Sequence, residues 1–170
     1  MKFFVNIFLK PLSFIPALLM MYIIFSFSAQ NGTTSAGLSY KVSHKVVSVV
    51  DKALDLELTD TQIHNGINKI HFYIRKTAHF LEYFLLAISV TIPLYVYRIR
   101  SLWLMLTASI LCICFAGFDE LHQLYVDGRA GSLKDVFIDS MGIISGIIFV
   151  KTFGYIFAKT ILEPLFDKRT

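Results

Sequence analysis

Long apolar runs constrain this chain more than any other feature of its sequence. No Lys, Arg, Asp or Glu occurs between Lys10 and Lys41, and three further runs with very few charges follow. A helix needs about 20 mostly apolar residues to cross a bilayer. Four transmembrane helices are therefore predicted, at about residues 11–29, 77–97, 101–118 and 136–157.

The composition agrees with a membrane domain. Of the 170 residues, 55% are hydrophobic and 16% are charged, whereas about a quarter of a soluble domain is charged. Global disorder and a disulfide scaffold are excluded, because the chain is apolar and its only cysteines are Cys112 and Cys114. The formal charge of +4 is small and dispersed, so the expected partner is the lipid bilayer and not nucleic acid. We predict an all-α fold, with one domain over residues 1–170 that forms a four-helix transmembrane bundle.

The segment 30–76, between the first two spans, carries two helical patterns. Apolar residues recur at spacings of three and four, which predicts one apolar helical face: Leu38, Val42, Val46, Val49 and Ala53. Thr59 with Gln62 resembles a capping box, and isoleucines follow it at helical spacing. We expect two amphipathic helices on the outer side, which lie on the membrane surface or cap the bundle.

Basic residues in the short flanks of the spans predict the orientation. They divide equally between the two sides, but Arg98 and Arg100 form a compact cluster between the second and third spans. We therefore predict that both termini are cytoplasmic. An alternative is a signal peptide with Ser26-Phe27-Ser28 as its cleavage site, although the apolar stretch is longer than the usual 7–15 residues.

Ionisable and polar residues cluster at the predicted outer ends of the spans. Such groups are costly within a membrane and indicate a function by default. The candidate ligand-binding residues are Ser28, Gln30, Lys76, His79, Glu82, Tyr83, Asp119, Glu120, Gln123, Gly128, Arg129, Asp135 and Asp139.

Two interpretations of this cluster compete. In the structural one, Arg129, His79 and the carboxylates form a satisfied network that fixes the helices. In the functional one, they line a water-filled pocket that opens outwards. Carboxylates outnumber cations in the cluster, which favours the functional interpretation and is compatible with a bound divalent cation.

These residues, in this order, resemble the VanZ-like family of small bacterial membrane proteins, which is named after an accessory teicoplanin-resistance protein. The motifs that carry the resemblance are Phe27-Ser28-Ala29-Gln30 with Ser35, then Lys76-x-x-His79-Phe80-x-Glu82-Tyr83, and finally Asp119-Glu120-x-x-Gln123 with Gly128-Arg129, Asp135-Val136, Gly142 and Gly146. Two positions depart from the family pattern: Asp127 stands where Pro is frequent, and Asp139 stands where Asn is usual. Gly142 and Gly146 also predict close helix packing inside the bundle.

The resemblance implies a bacterial cell-envelope protein that is sometimes linked to glycopeptide tolerance. The preferred hypothesis is a factor that binds a cell-wall precursor or an envelope protein. A second hypothesis is an enzyme acting on a lipid-linked phosphate or glycan, although the sequence contains no complete catalytic motif. Its candidate catalytic residues are His79 or Glu82 as general base and Asp119 and Glu120 as acid or metal ligands, while Arg129 would hold an anionic group. A third hypothesis, a small transporter or flippase, is disfavoured by the few spans and the lack of an inverted repeat.

Overall fold

The computed structural model describes the backbone of residues 10–157 and the side chains of residues 10–154. Within this range the chain is helical and contains no strand, which confirms the all-α prediction. The helices are α1 (Lys10–Leu12), α2 (Ile15–Ser28), α3 (Gly32–Leu54), α4 (Asp60–Val96), α5 (Ser101–Gln123) and α6 (Leu133–Phe157).

Four helical segments are long and apolar enough to cross a membrane: Lys10–Ser28, Asp60–Val96, Ser101–Gln123 and Leu133–Gly154. Their outward faces carry large apolar side chains, such as Leu18, Ile110 and Ile148, of which at least half is exposed. A polar solvent disfavours such surfaces, whereas the hydrocarbon core of a bilayer accommodates them. The chain is therefore a multi-pass membrane protein.

Helix α4 lies at the centre of the bundle, where it contacts α2, α3, α5 and α6. The apolar core beside it depends on small residues of α5, since Ala108, Cys112 and Ala116 recur every four residues and are fully buried. Small side chains allow transmembrane helices to approach closely. Tyr83 and Leu86 of α4 belong to the same buried cluster.

Helices α4 and α6 run parallel and touch closely. A Cβ atom at Gly142 would overlap the backbone oxygen of Phe80, and a Cβ atom at Gly146 would lie 2.5 Å from the backbone oxygen of Phe84. The prediction that these glycines pack inside the bundle is confirmed.

The loop before α4 contains the predicted capping box. The Thr59 side chain accepts from the backbone of Gln62, and the Gln62 side chain accepts from the backbone of Thr59 at 2.9 Å. These bonds satisfy two donors that a helix start leaves free. They fix the first residue of α4 at Asp60.

Helix α3 packs antiparallel on the first half of α4, and the two form a helical hairpin. A side-chain nitrogen of His71 lies 3.2 Å from the carbonyl oxygen of Ala36, and a Cβ atom at Gly66 would lie 3.5 Å from the Val47 side chain. The predicted second amphipathic helix and the predicted second span thus belong to one continuous helix. With 37 residues, α4 is about 55 Å long, well beyond the hydrocarbon core of about 30 Å.

The face of α3 that packs on α4 is not its predicted apolar face. Ser43 and Val47 are buried, whereas Leu38, Val42 and Val49 are 45%, 50% and 57% exposed. Helix α4 therefore does not cover the predicted apolar face, and the position of this face on the membrane surface stays a prediction.

Candidate functional site

Polar residues from distant parts of the sequence meet at one end of the bundle. At this end α2 and α5 stop, α6 starts and α4 passes through, and we term it the polar end. Buried polar residues here come from all four membrane-spanning helices: Ser28, His79, Asp119, Glu120, Gln123, Asp135 and Asp139.

A compact set of hydrogen bonds links α2 to α5, and we term it the α2–α5 network. Ser28 Oγ donates to Asp119 Oδ2 at 2.6 Å, and Gln123 Nε2 donates to both Ser28 Oγ at 2.9 Å and Asp119 Oδ2 at 3.1 Å. All three residues are at least 96% buried. Because a buried polar group is costly without a partner, these bonds hold the two helix ends together.

Arg129 connects the α5–α6 turn to the end of α2. Its guanidinium donates to the carbonyl oxygens of Phe27 at 2.9 Å and Gln30 at 3.1 Å. A helix end leaves such carbonyls without intrahelical partners. No carboxylate among the described residues forms an ion pair with Arg129, so the arrangement differs from a network in which Arg129 neutralises the acids.

Gly128 has a backbone role in the same turn. Its φ of 71° lies in the left-handed region, which glycine adopts without strain. The turn touches the start of α3, where the Gly32 amide donates to the Asp127 carbonyl at 2.9 Å. The close contact of Gly32 with Gly128 leaves no room for a side chain on Gly32.

The contact between α4 and α6 at the polar end contains two charged pairs, and we term it the α4–α6 contact. Lys76 Nζ forms an ion pair with Asp135 Oδ1. One turn further along, His79 Nδ1 lies 3.5 Å from Asp139 Oδ1, without hydrogen-bond geometry. Neither oxygen of Asp139 has a hydrogen-bond partner in the part of the chain that the structure describes, although Asp139 is fully buried.

Three of these residues form a triad that could hold a metal ion. His79, Glu120 and Asp139 each offer one ligand atom, and these atoms lie within 4.8 Å of one another. Each residue comes from a different helix, namely α4, α5 and α6. Imidazole nitrogen and carboxylate oxygens are common ligands of divalent transition metals.

A pocket of about 460 Å³ lies beside the triad, between α2, α3 and α4. Five candidate residues from the sequence line it, namely Ser28, Gln30, His79, Glu82 and Arg129. The other candidates do not line it: Lys76, Tyr83, Asp119, Glu120, Gln123, Gly128, Asp135 and Asp139. Tyr83 belongs to the apolar core instead, where its ring centroid lies 6.4 Å from that of Phe115.

Arg75 also lines the pocket, although it is absent from the ligand-binding candidates of the sequence analysis. Its Nε is buried and has no hydrogen-bond partner over residues 10–157. Burial and the positive charge of Arg75 lower the pKa of Arg129 from its ordinary value. Arg75, His79 and Glu82 are spaced at i, i+4 and i+7, which places all three on one helix face. This spacing is visible in the sequence and could have identified Arg75 as a candidate.

Comparison with known proteins identifies a family. The model of a family described as VanZ/LLP1 matches residues 13–156, a range that includes the pocket, the triad and the α2–α5 network. No curated protein and no solved structure matches the chain significantly.

Proposed function

The chain belongs to the VanZ/LLP1 family, and we propose that it is an envelope protein that binds the anionic head group of a lipid-linked cell-wall precursor. The observation that carries this proposal is the pair of arginines, Arg75 and Arg129, in the lining of a pocket whose surface is largely apolar. A lipid-linked phosphate combines the same two properties, an anionic head and an apolar tail.

The two arginines of the pocket outnumber its one carboxylate, Glu82, and this balance favours an anion. Arg75 and Arg129 each carry a positive charge, and their mutual repulsion is relieved when an anion lies between them. Arginine suits phosphate because its planar group donates two parallel hydrogen bonds. The unpartnered Nε of Arg75 is a donor that such a ligand would satisfy.

The apolar walls favour a lipid over a free anion. Phe27, Leu38 and Val42 line the pocket, and their exposed fractions of 46%, 45% and 50% leave apolar surface for a chain of carbon atoms. A volume of about 460 Å³ lies within the range of about 300–1,000 Å³ that is typical of small-molecule sites.

The proposal includes the orientation of the chain, with both termini cytoplasmic and the polar end outside the cell. The compact basic cluster at Arg98 and Arg100, at the opposite end of α4 and α5 from the pocket, supports this orientation. A precursor bound outside would be less accessible to a glycopeptide antibiotic, and this is how the chain would contribute to teicoplanin tolerance.

The experiment is a binding assay with the full chain in lipid nanodiscs. The probe is a fluorescent polyprenyl diphosphate, with the uncharged polyprenol and inorganic diphosphate as separate arms. We expect the lipid diphosphate to bind, and Arg75→Met to weaken its binding at least tenfold, because a charged hydrogen bond contributes about 1.5–3 kcal/mol. The polyprenol and inorganic diphosphate should each bind more weakly than the lipid diphosphate.

Lys69→Met is the matched control for Arg75→Met. Lys69 lies exposed on the same helix, and its substitution removes the same charge without touching the pocket. Equal losses in the two variants, or equal binding of lipid diphosphate and polyprenol, would contradict the proposal.

A membrane enzyme is the second candidate function, because His79 and Glu82 line the pocket beside Arg129. A general base must lie within reach of the proton that it removes, and both residues face the space where the head group would bind. Release of inorganic phosphate from the lipid diphosphate by the wild-type chain, lost in His79→Gln, would establish hydrolysis in place of binding alone.

A further inference from the structure

We propose that His79, Glu120 and Asp139 hold a divalent transition-metal ion, of the class of Zn²⁺ or Mn²⁺, between α4, α5 and α6. The site shares His79 with the pocket proposed above, but its other two ligands, Glu120 and Asp139, do not line the pocket. Metal content is measurable without any lipid, so this proposal stands or fails independently of the proposed function.

The geometry of the triad fits an ion of this size. Three ligand atoms within 4.8 Å of one another allow a central position at most about 2.8 Å from each of them. Zinc binds nitrogen and carboxylate oxygen at about 2.0–2.2 Å. The side chains therefore need to move inwards by less than about 1 Å, which small torsional changes provide.

Unpartnered buried atoms provide the second, independent observation. Asp139 is 0% exposed and His79 is 9% exposed. Both oxygens of Asp139 and the Nδ1 of His79 lack hydrogen-bond partners among the described residues. His79 Nδ1 lies 3.5 Å from Asp139 Oδ1 but makes no hydrogen bond to it. A buried carboxylate without hydrogen bonds is disfavoured, and a metal ion between the two side chains supplies a partner for both.

Neither Lys76 nor Arg129 compensates the negative charge of Asp139. Lys76 Nζ pairs with Asp135, one turn before Asp139 on α6. Arg129 donates to backbone carbonyl oxygens at the end of α2. The charge of Asp139 is therefore compensated by neither of these side chains in the part of the structure that is described.

Glu120 is already oriented for such a role. Its Oε2 accepts a hydrogen bond from the backbone amide of Ser132 at 2.7 Å, while its Oε1 receives only a long contact of 3.4 Å from Gln123. Hydrogen bonds of this kind fix the direction of carboxylates that bind metals. The backbone of the α5–α6 turn thus holds one oxygen and leaves the other for the ion.

The ligand types select the metal. Two carboxylates and one neutral imidazole carry two negative charges, which a divalent cation neutralises. Imidazole favours zinc and other transition metals over Mg²⁺ and Ca²⁺, which prefer oxygen alone. Three protein ligands also leave one position of a tetrahedral zinc site for water or another ligand.

The test is metal analysis of the full chain, purified in detergent without chelator. We expect about one equivalent of a transition metal in the wild type, and a loss of at least tenfold in Asp139→Asn and in His79→Gln. Asp119→Asn is the matched control, because Asp119 is 1% exposed and lies at the same end of the bundle but outside the triad. It should retain the metal.

A second measurement covers the case in which the variants fold poorly. The wild type is stripped with EDTA and then titrated with Zn²⁺ or Mn²⁺ alone, while its thermal unfolding is followed. Saturation with the bound metal should raise Tm by roughly 5 °C or more. A wild type that contains no transition metal and shows no rise in Tm would overturn the proposal, as would equal metal loss in Asp119→Asn.

Discussion

The α2–α5 network and the α4–α6 contact are alike in position and differ in how their acids are satisfied. Both join two parallel helices at the polar end, and both contain an aspartate that is at most 1% exposed. Asp119 receives hydrogen bonds from Ser28 and Gln123 at 2.6 and 3.1 Å. Asp139 lies 3.5 Å from His79 without a hydrogen bond.

The difference separates two uses of a buried acid. Most buried polar groups in proteins have hydrogen-bond partners, and an acid whose partners are supplied by the fold serves to hold helices in register. A buried acid without such hydrogen-bond partners needs a partner from outside the fold, such as a bound ion. Asp119 retains one unpartnered oxygen, so it is only partly satisfied, whereas Asp139 has no partner for either oxygen within the described range.

The largest effect is expected from a substitution that separates α4 from α6 next to the α4–α6 contact. Gly142→Ala places a Cβ atom on the backbone oxygen of Phe80, which cannot move without shifting α4. We expect the free energy of unfolding in detergent to fall by about 3 kcal/mol, at the upper end of overpacking effects.

Gly154→Ala on the same helix is the control for this substitution. Nothing lies within 4 Å of a Cβ atom at Gly154, so the better helix propensity of alanine should leave stability unchanged or raise it by up to about 1 kcal/mol. Similar losses in both variants would show that the Gly142 contact does not determine the packing of α4 on α6.

The next prediction compares the two buried aspartates, Asp119 and Asp139, directly. Ser28→Ala removes a donor from Asp119 and should lower the free energy of unfolding by about 2 kcal/mol. Asp139→Asn in metal-free protein should cost nothing or stabilise, because it removes a buried charge that lacks a partner. Chemical unfolding of both EDTA-treated variants measures the difference, and an equal loss in the two would contradict our distinction between the contacts.

The smallest effect tests whether the helical hairpin is independent of the polar end. Thr59→Ala removes the capping box of α4 and should cost about 1 kcal/mol, with faster amide hydrogen exchange confined to the first turn after Asp60. Thr61→Ala, at an exposed position two residues later, is the control and should leave exchange unchanged. Faster exchange at His79 in the capping variant would show instead that the two regions unfold together.

Much of the fold could be predicted because the responsible physics is local. Apolar runs identify helices that cross a bilayer, Thr59 with Gln62 identifies a helix start, and Gly142 with Gly146 identifies a close contact. The continuity of α4 could not be predicted in this way. Hydropathy changes at Arg75 and Lys76, where the apolar run begins, but neither residue breaks a helix, so the end of a run is not the end of a helix.

The site was harder to predict than the fold, because the packing of the helices decides which of its side chains come together. Helical spacing places His79 and Glu82 on one face, but it does not reveal that both line a pocket against α3, or that His79 also lies beside Asp139 of α6. The packing face of α3 was missed for a similar reason. Ser43 is small and donates to the Ser39 carbonyl of its own helix at 2.8 Å, so it can face α4 without leaving a buried donor unsatisfied.

The unbroken course of α4 gives the molecule a stiff rod that reaches from the hairpin through the polar end into the apolar core. Arg75 and His79 are one helical turn apart on this rod, so they cannot change position separately by rigid motion of the helix. Any force on the hairpin that tilts the rod therefore displaces an arginine of the pocket and a histidine of the triad in the same movement.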